Sequence, residues 1–309
     1  MKKILVSTLA LCLPGALFAS GPGTTAANFL KMSMSPRAAA LAGAYGALAD
    51  DSGAVFVNPA GLASQTGSQA GLGFATYFQD VKTGELSYTG EMGGRRFGVG
   101  VSLLTVSDIN RYGSTDNDNA VASLGTFGAN DMAVSFTHAS KDVLPGSLDN
   151  LDFGVAAKFI RSELDDESAM AFAVDAGALY RFTEKINFSL VLQNLGTEMK
   201  FVEESDPLPI SLRAGMLYRW SGAVNLTGEV SQYFADEKFY AAFAGEYWLR
   251  EGFALRGGYR FGYDTSNLGA AAGLALGFGI NNSGIGLDYA YTPFGELGDI
   301  HRFGFSMKF

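Results

Sequence analysis

The last nine residues, His301 to Phe309, read HRFGFSMKF. Phe303, Phe305, Met307 and Phe309 alternate with Arg302, Gly304, Ser306 and Lys308. A period of two is the mark of a β-strand with one apolar face and one polar or small face. From about Gly67 onward the same alternation recurs in fourteen segments. They are centred on Phe74, Leu86, Val99, Val134, Val155, Phe172, Leu190, Met216, Leu226, Phe243, Leu255, Leu276, Leu287 and Phe305. Each is about 10 residues long, the length a tilted strand needs to cross hydrocarbon. An even set of such strands, all apolar on one face, predicts a closed barrel.

The start of the chain agrees. Lys2 and Lys3 precede an apolar run from Ile4 to Ala19, followed by Ser20 and Gly21. That layout predicts a secretory signal peptide over residues 1–19. Cys12 is the only cysteine and falls inside it, so no disulfide or thiolate metal site is expected after cleavage. Beyond it, no apolar run is long enough for a helical span. Backbone groups in lipid must all be paired, which leaves a closed barrel as the other way across. A net charge of −9 argues against nucleic acid as a partner. A soluble β-sandwich or propeller would share the alternation, with the apolar face as its core. A secreted chain ending on Phe resembles the C-terminal signal by which bacterial outer-membrane barrels are recognised for insertion, carried here by Phe303, Phe305 and Phe309. Outer-membrane lipid and the insertion machinery are the partners this implies.

The connections alternate too. Gly93–Arg96, Thr183–Lys185, Trp220–Ala223, Leu249–Gly252 and Gly279–Ser283 are short, as periplasmic turns should be. Asp108–Asn130, Glu163–Glu167, Gly196–Pro209 and Pro293–Asp299 are expected as external loops. Ser140–Asn150 is long for its side. The face opposite the apolar one carries Gly, Ala and scattered charges, among them Arg213, Arg256, Arg260, Asp288 and Arg302. Inward charges must be paired or hydrated. They are expected to form ion pairs filling the lumen, with Arg256 and Arg260, either side of Gly258, as the candidate selectivity lining.

Residues 20–66 do not alternate. Small residues dominate Ala38 to Ala49, which suits close packing inside a narrow lumen. In Asn58-Pro59-Ala60-Gly61, Asn58 reads as a helix cap and Pro59 as the first helical residue. Asp50 and Asp51 are placed to open a second turn. The stretch Gly23 to Ala63, with Arg37–Gly43, Gly43–Tyr45, Ala49–Asp51 and Asn58–Gly61, resembles the N-terminus of the PorV/PorQ-like outer-membrane proteins, which are similar to the FadL long-chain fatty acid transporter family. The tail from Asp288 to Phe294, with Leu297–Asp299 and His301-Arg302, is similar to that family's end. The resemblance implies an all-β, 14-stranded antiparallel outer-membrane barrel. It divides the chain into signal peptide (1–19), lumen hatch (20–66) and barrel (67–309).

Two functions follow from the resemblance. One is passage of hydrophobic or small amphipathic molecules, which predicts a continuous apolar cavity above the hatch and a break in strand pairing that opens sideways. The other is a type IX secretion partner that docks exported proteins at the cell surface. No enzyme is expected: the two histidines, His138 and His301, have no defensible Ser and carboxylate companions. No nucleophile elbow, zinc motif or phosphate loop occurs, so no cofactor is expected either. Asp116 to Asn119 lack the spacing of a calcium loop and read as a solvated turn.

Overall fold

The computed structural model of the chain describes residues 25–309, apart from 33–34, 78–80, 115–120, 147 and 251. The predicted signal peptide, the first residues of the expected hatch and Asp116 to Asn119 lie outside the described residues.

Alternating segments become strands in the order the sequence predicts. They are β1 (Gln69–Thr76), β2 (Lys82–Met92), β3 (Arg95–Ser114), β4 (Val121–Ser140), β5 (Leu151–Leu164), β6 (Glu167–Arg181) and β7 (Ile186–Gly196). A two-residue ladder follows, β8 (Met199–Lys200) with β9 (Ser205–Asp206). Then come β10 (Ser211–Ser221), β11 (Val224–Tyr233), β12 (Lys238–Arg250), β13 (Phe253–Phe261), β14 (Leu274–Asn282), β15 (Ile285–Pro293) and β16 (Asp299–Lys308). All but β8 and β9 form one closed antiparallel barrel of fourteen strands. The terminal strand closes it: β16 pairs with β1 from Gln69↔Lys308 to Thr76↔His301. Phe74 and Phe303 stack across that seam at 5.2 Å.

The barrel is inside-out relative to a soluble protein. Leu72, Leu86, Phe136, Phe172, Leu190, Phe243, Leu287 and Phe305 all face outward and are exposed, Phe172 by 62% and Phe243 by 64%. Lys158, Asp175, Glu229, Glu246 and Arg256 are buried inside. An apolar belt around a charged interior is stable only with hydrocarbon outside, which makes this a membrane-spanning barrel and removes the sandwich and propeller alternatives. Trp220 is exposed at the short-turn end, where an aromatic girdle sits.

One loop expectation is corrected. Asp108–Asn130 is not a loop throughout: β3 and β4 continue their ladder to Ser114↔Val121, across irregularities at Val106/Ile109 and Asn110/Tyr112. β2 stops pairing at Thr105 and β5 at Ala129, so beyond them the two strands ladder only with each other, with the β5–β6 turn leaning on them through Asp165. The residues of this ribbon mix polar side chains with Ile109, Tyr112, Leu124 and Phe127, without the strict alternation of the wall. The long Ser140–Asn150 connection folds on a single bridge, Leu144↔Leu148.

Residues 25–66 form short helices and turns: a 3-10 turn at Asn28–Lys31, α1 (Pro36–Ala40), α2 (Ala54–Val57) and a 3-10 helix at Pro59–Ser64. Pro36 lies at Gly304 of β16, Ala40 at Gly277 of β14 and Leu41 at Gly258 of β13. Val55 lies at Gly98 of β3 and Pro59 at Gly154 of β5. Contact with strands all round a closed ring puts this segment in the lumen.

Candidate functional site in the lumen

The N-terminal segment is anchored at Asn58. Its Oδ1 accepts from the Ala60 amide at 3.1 Å, and its Nδ2 donates to the Gly46 carbonyl at 2.8 Å. The side chain is fully buried at 0% exposure. Pro59 opens the 3-10 helix, as its fixed φ and missing N–H favour. The wall meets this turn with glycines. A methyl carbon at Gly154 would fall 2.3 Å from the Pro59 carbonyl carbon, and one at Gly177 would fall 2.2 Å from the Asn58 oxygen. Gly61 approaches the Ala49 carbonyl just as closely. Asp152 binds Ser64 at 3.0 Å and pairs with Arg181, fixing the end of the turn to β5 and β6.

The other half is held by charge. Arg37, on α1, donates from Nε and Nη2 to Glu246 at 2.9 and 3.1 Å. Its Nη1 reaches Asp50 at 2.6 Å and Asp51 at 3.0 Å. Glu246 also accepts from Arg256 at 2.8 Å, Asn225 at 3.1 Å and the Trp248 indole at 3.2 Å. Arg256 continues to Asp288 at 2.5 Å. One buried carboxylate thus joins α1 to the wall of β12 and β13. A cavity of about 240 Å³ opens beside this cluster toward the short-turn end, bounded by Arg37, Asp50, Asp288 and Lys308.

A second cavity, about 190 Å³, lies on the other side of α1. Ala38 and Ala39 form its floor, while Arg37 on the same helical turn borders the lower cavity. Its walls mix Leu30, Phe56, Val57 and Phe294 with Glu85, Arg213, Arg260 and Arg302. Arg213 is occupied by Glu229 through Nε at 2.7 Å and by the Gly43 carbonyl at 2.9 Å. Arg302 donates to Thr292 at 2.7 Å and to the Tyr77 hydroxyl at 2.8 Å. The expectation of a continuous apolar cavity is therefore corrected: guanidiniums reach into it. Strand pairing also runs around the closed ring without a sideways break among the described residues. The mid-wall irregularity, between Val174 and Ala176, is sealed behind by Lys158 and Asp175 at 2.6 Å.

The structure brings Asp50, Asp51, Arg256 and Asp288 into one cluster through Arg37, a residue the sequence reading did not single out for chemistry. It separates Arg256 from Arg260: the first is in the lower ion network, the second at the upper cavity. Asn58, Pro59, Ala60 and Gly61 form the anchored turn. Phe303, Phe305 and Phe309 are exposed on the lipid side. Lys31, Glu85, Tyr77 and Tyr263 are lining residues the sequence reading missed, and three of them lie in loops or turns, where alternation carries no signal.

A fourteen-stranded membrane barrel with a chain segment lodged in its lumen is what fold and site define. Solved structures share that fold. The toluene transporter TbuX of Ralstonia pickettii superimposes with a TM-score of 0.64 at 13% identity, over 89% of this chain and 98% of that one. The monoaromatic hydrocarbon channel CymD gives 0.59 at 13% identity, over 89% and 97%. A FadL homologue of Pseudomonas aeruginosa gives 0.56 at 12% identity, over 89% and 98%. No family model matches the chain, and no curated protein matches it in sequence.

Proposed function

We propose that this barrel stands in the bacterial outer membrane and passes small hydrophobic or amphipathic molecules, with residues 20–66 as its hatch. The observation that carries the reading is the partly open cavity of about 190 Å³ above the N-terminal segment. By volume alone, set beside a cavity of about 150 Å³ that holds benzene, it suits a solute of single-ring size. The similarity to structures of a toluene transporter and a monoaromatic hydrocarbon channel supports the same class of solute. Residues of α1 border both cavities, Ala38 and Ala39 the upper and Arg37 the lower. Displacing α1 would join them into a path to the short-turn end, and Arg37 is the clasp that prevents this. The test is uptake of radiolabelled toluene by cells with and without the gene. Slower uptake in the deletion strain, restored by the intact gene, is expected. Equal rates would reject the proposal.

A second reading, a PorV/PorQ-like partner for type IX secretion, draws on the resemblance of Gly23 to Ala63 and on the β3–β4 ribbon. Tyr112 and Leu124 are exposed on that ribbon, beyond the neighbouring strands. Quantitative proteomics of the deletion strain's surface and medium separates the two. Loss of a set of surface proteins sharing a C-terminal domain favours secretion, and an unchanged surface favours passage.

A further inference from the structure

Arg260 reaches the upper cavity held by the Tyr263 hydroxyl and the Tyr240 ring, without a carboxylate of its own among the described residues. Lys31 has Asp236 at 2.5 Å, and Arg213 has Glu229. Lys31, Lys238, Arg213, Arg260 and Arg302 line the cavity and its side pocket together with Glu85 and Asp236. Among the described residues no carboxylate comes within 4.0 Å of the Arg260 guanidinium. Its Nε is buried with no hydrogen-bond partner. The group lies over the Tyr240 ring at 5.1 Å. Around it runs an aromatic chain: Tyr233 to Tyr240 at 5.9 Å, Tyr240 to Tyr263 at 5.4 Å, and Tyr263 to Phe294 at 5.6 Å.

We infer that the upper cavity binds single-ring aromatic solutes that carry an ionised acidic oxygen, with Arg260 pairing the anion and Tyr233, Tyr263 and Phe294 facing the ring. The inference deepens the proposed passage function and rests on it. A neutral ring fits the aromatic wall but leaves the guanidinium without an anion. A carboxylate or phenolate instead completes it, because a guanidinium offers a planar fork that matches an anionic oxygen. Tyrosine and phenylalanine faces meet a ring edge-on or offset, the favoured aromatic geometries.

The test is calorimetric titration of the purified barrel in detergent with benzoate and with benzyl alcohol, a neutral ring of similar size. Benzoate is expected to bind, and more weakly as salt rises, in the unaltered protein. R260Q should weaken benzoate by about tenfold or more, the scale of one charge-assisted hydrogen bond, while R260K retains most of the affinity. Benzyl alcohol should be indifferent to both variants. Heat-modifiable migration on gels checks that each variant is folded. Benzoate binding that survives R260Q, or that ignores salt, overturns the inference. If benzyl alcohol binds and benzoate does not, the cavity takes neutral solutes and the passage reading stands without this refinement. If neither binds, both fail at this cavity.

Discussion

The two halves of the N-terminal segment are held in opposite ways. From Asn58 to Ser64 the chain is gripped by shape: backbone against wall glycines, with a fully buried amide bridging Ala60 and Gly46. From Pro36 to Asp51 it is small-residue chain: α1 lies against β13 to β16, Gly43 and Gly46 bond to Arg213 and Glu229, and Arg37 clasps Glu246. Close packing is lost all at once and reforms only in register. Ion pairs beside a hydrated cavity can exchange partners with water. We propose that the Asn58 half anchors the segment and the Arg37 half moves.

Removing the clasp is the harshest way to break the comparison. Glu246→Ala removes the carboxylate that Arg37 and Arg256 share. Arg37 keeps Asp50 and Asp51 and Arg256 keeps Asp288, so the loss stays at or below about 3–5 kcal/mol, the cost of a fully stranded buried charge. Hydrogen exchange should quicken at Leu41 to Leu48 and leave Ala60 and Gly61 protected; loosening at both would show that the halves move together. Gly154→Ala acts on the anchored half, where overpacking costs about 1–3 kcal/mol. Denaturant unfolding should register that loss, with exchange now faster at Ala60 and Gly61. Stability equal to the unaltered barrel would mean the wall yields there. Smallest is Asn58→Ala, about 1 kcal/mol for a lost cap. Unchanged exchange protection at Ala60 after that substitution would remove Asn58 from the anchor.

Much of the barrel was legible in sequence because lipid enforces it. Where hydrocarbon lies outside, every second residue must be apolar, and Phe303, Phe305 and Met307 announce the closing strand. Above the membrane that selection ends. Arg111 on the ribbon, for example, pairs with Asp165 in the β5–β6 turn, in sequence that reads as a loop. The lumen was legible only in kind. Inward charge was visible, but which carboxylate serves which cation depends on barrel register, and Arg37 meets Glu246 across 209 residues. Arg256 and Arg260 look like one pair by spacing, yet the strand carries them into different cavities at different heights. Tyr263 and Phe294 lie outside the strands and obey no period. The capping of Pro59 by Asn58 was readable, since both partners are local.

The most direct measurement locks the half assigned to movement. Ala40 on α1 packs against Ala290 of β15. Cysteines at both positions, Ala40→Cys with Ala290→Cys, would tie the helix to the wall by a disulfide in otherwise unaltered cells. Uptake of labelled toluene should be slow while the bond is oxidised and return to the unaltered rate on reduction, with each single cysteine behaving normally. Uptake at the full rate through the oxidised, fully cross-linked barrel would contradict passage past α1.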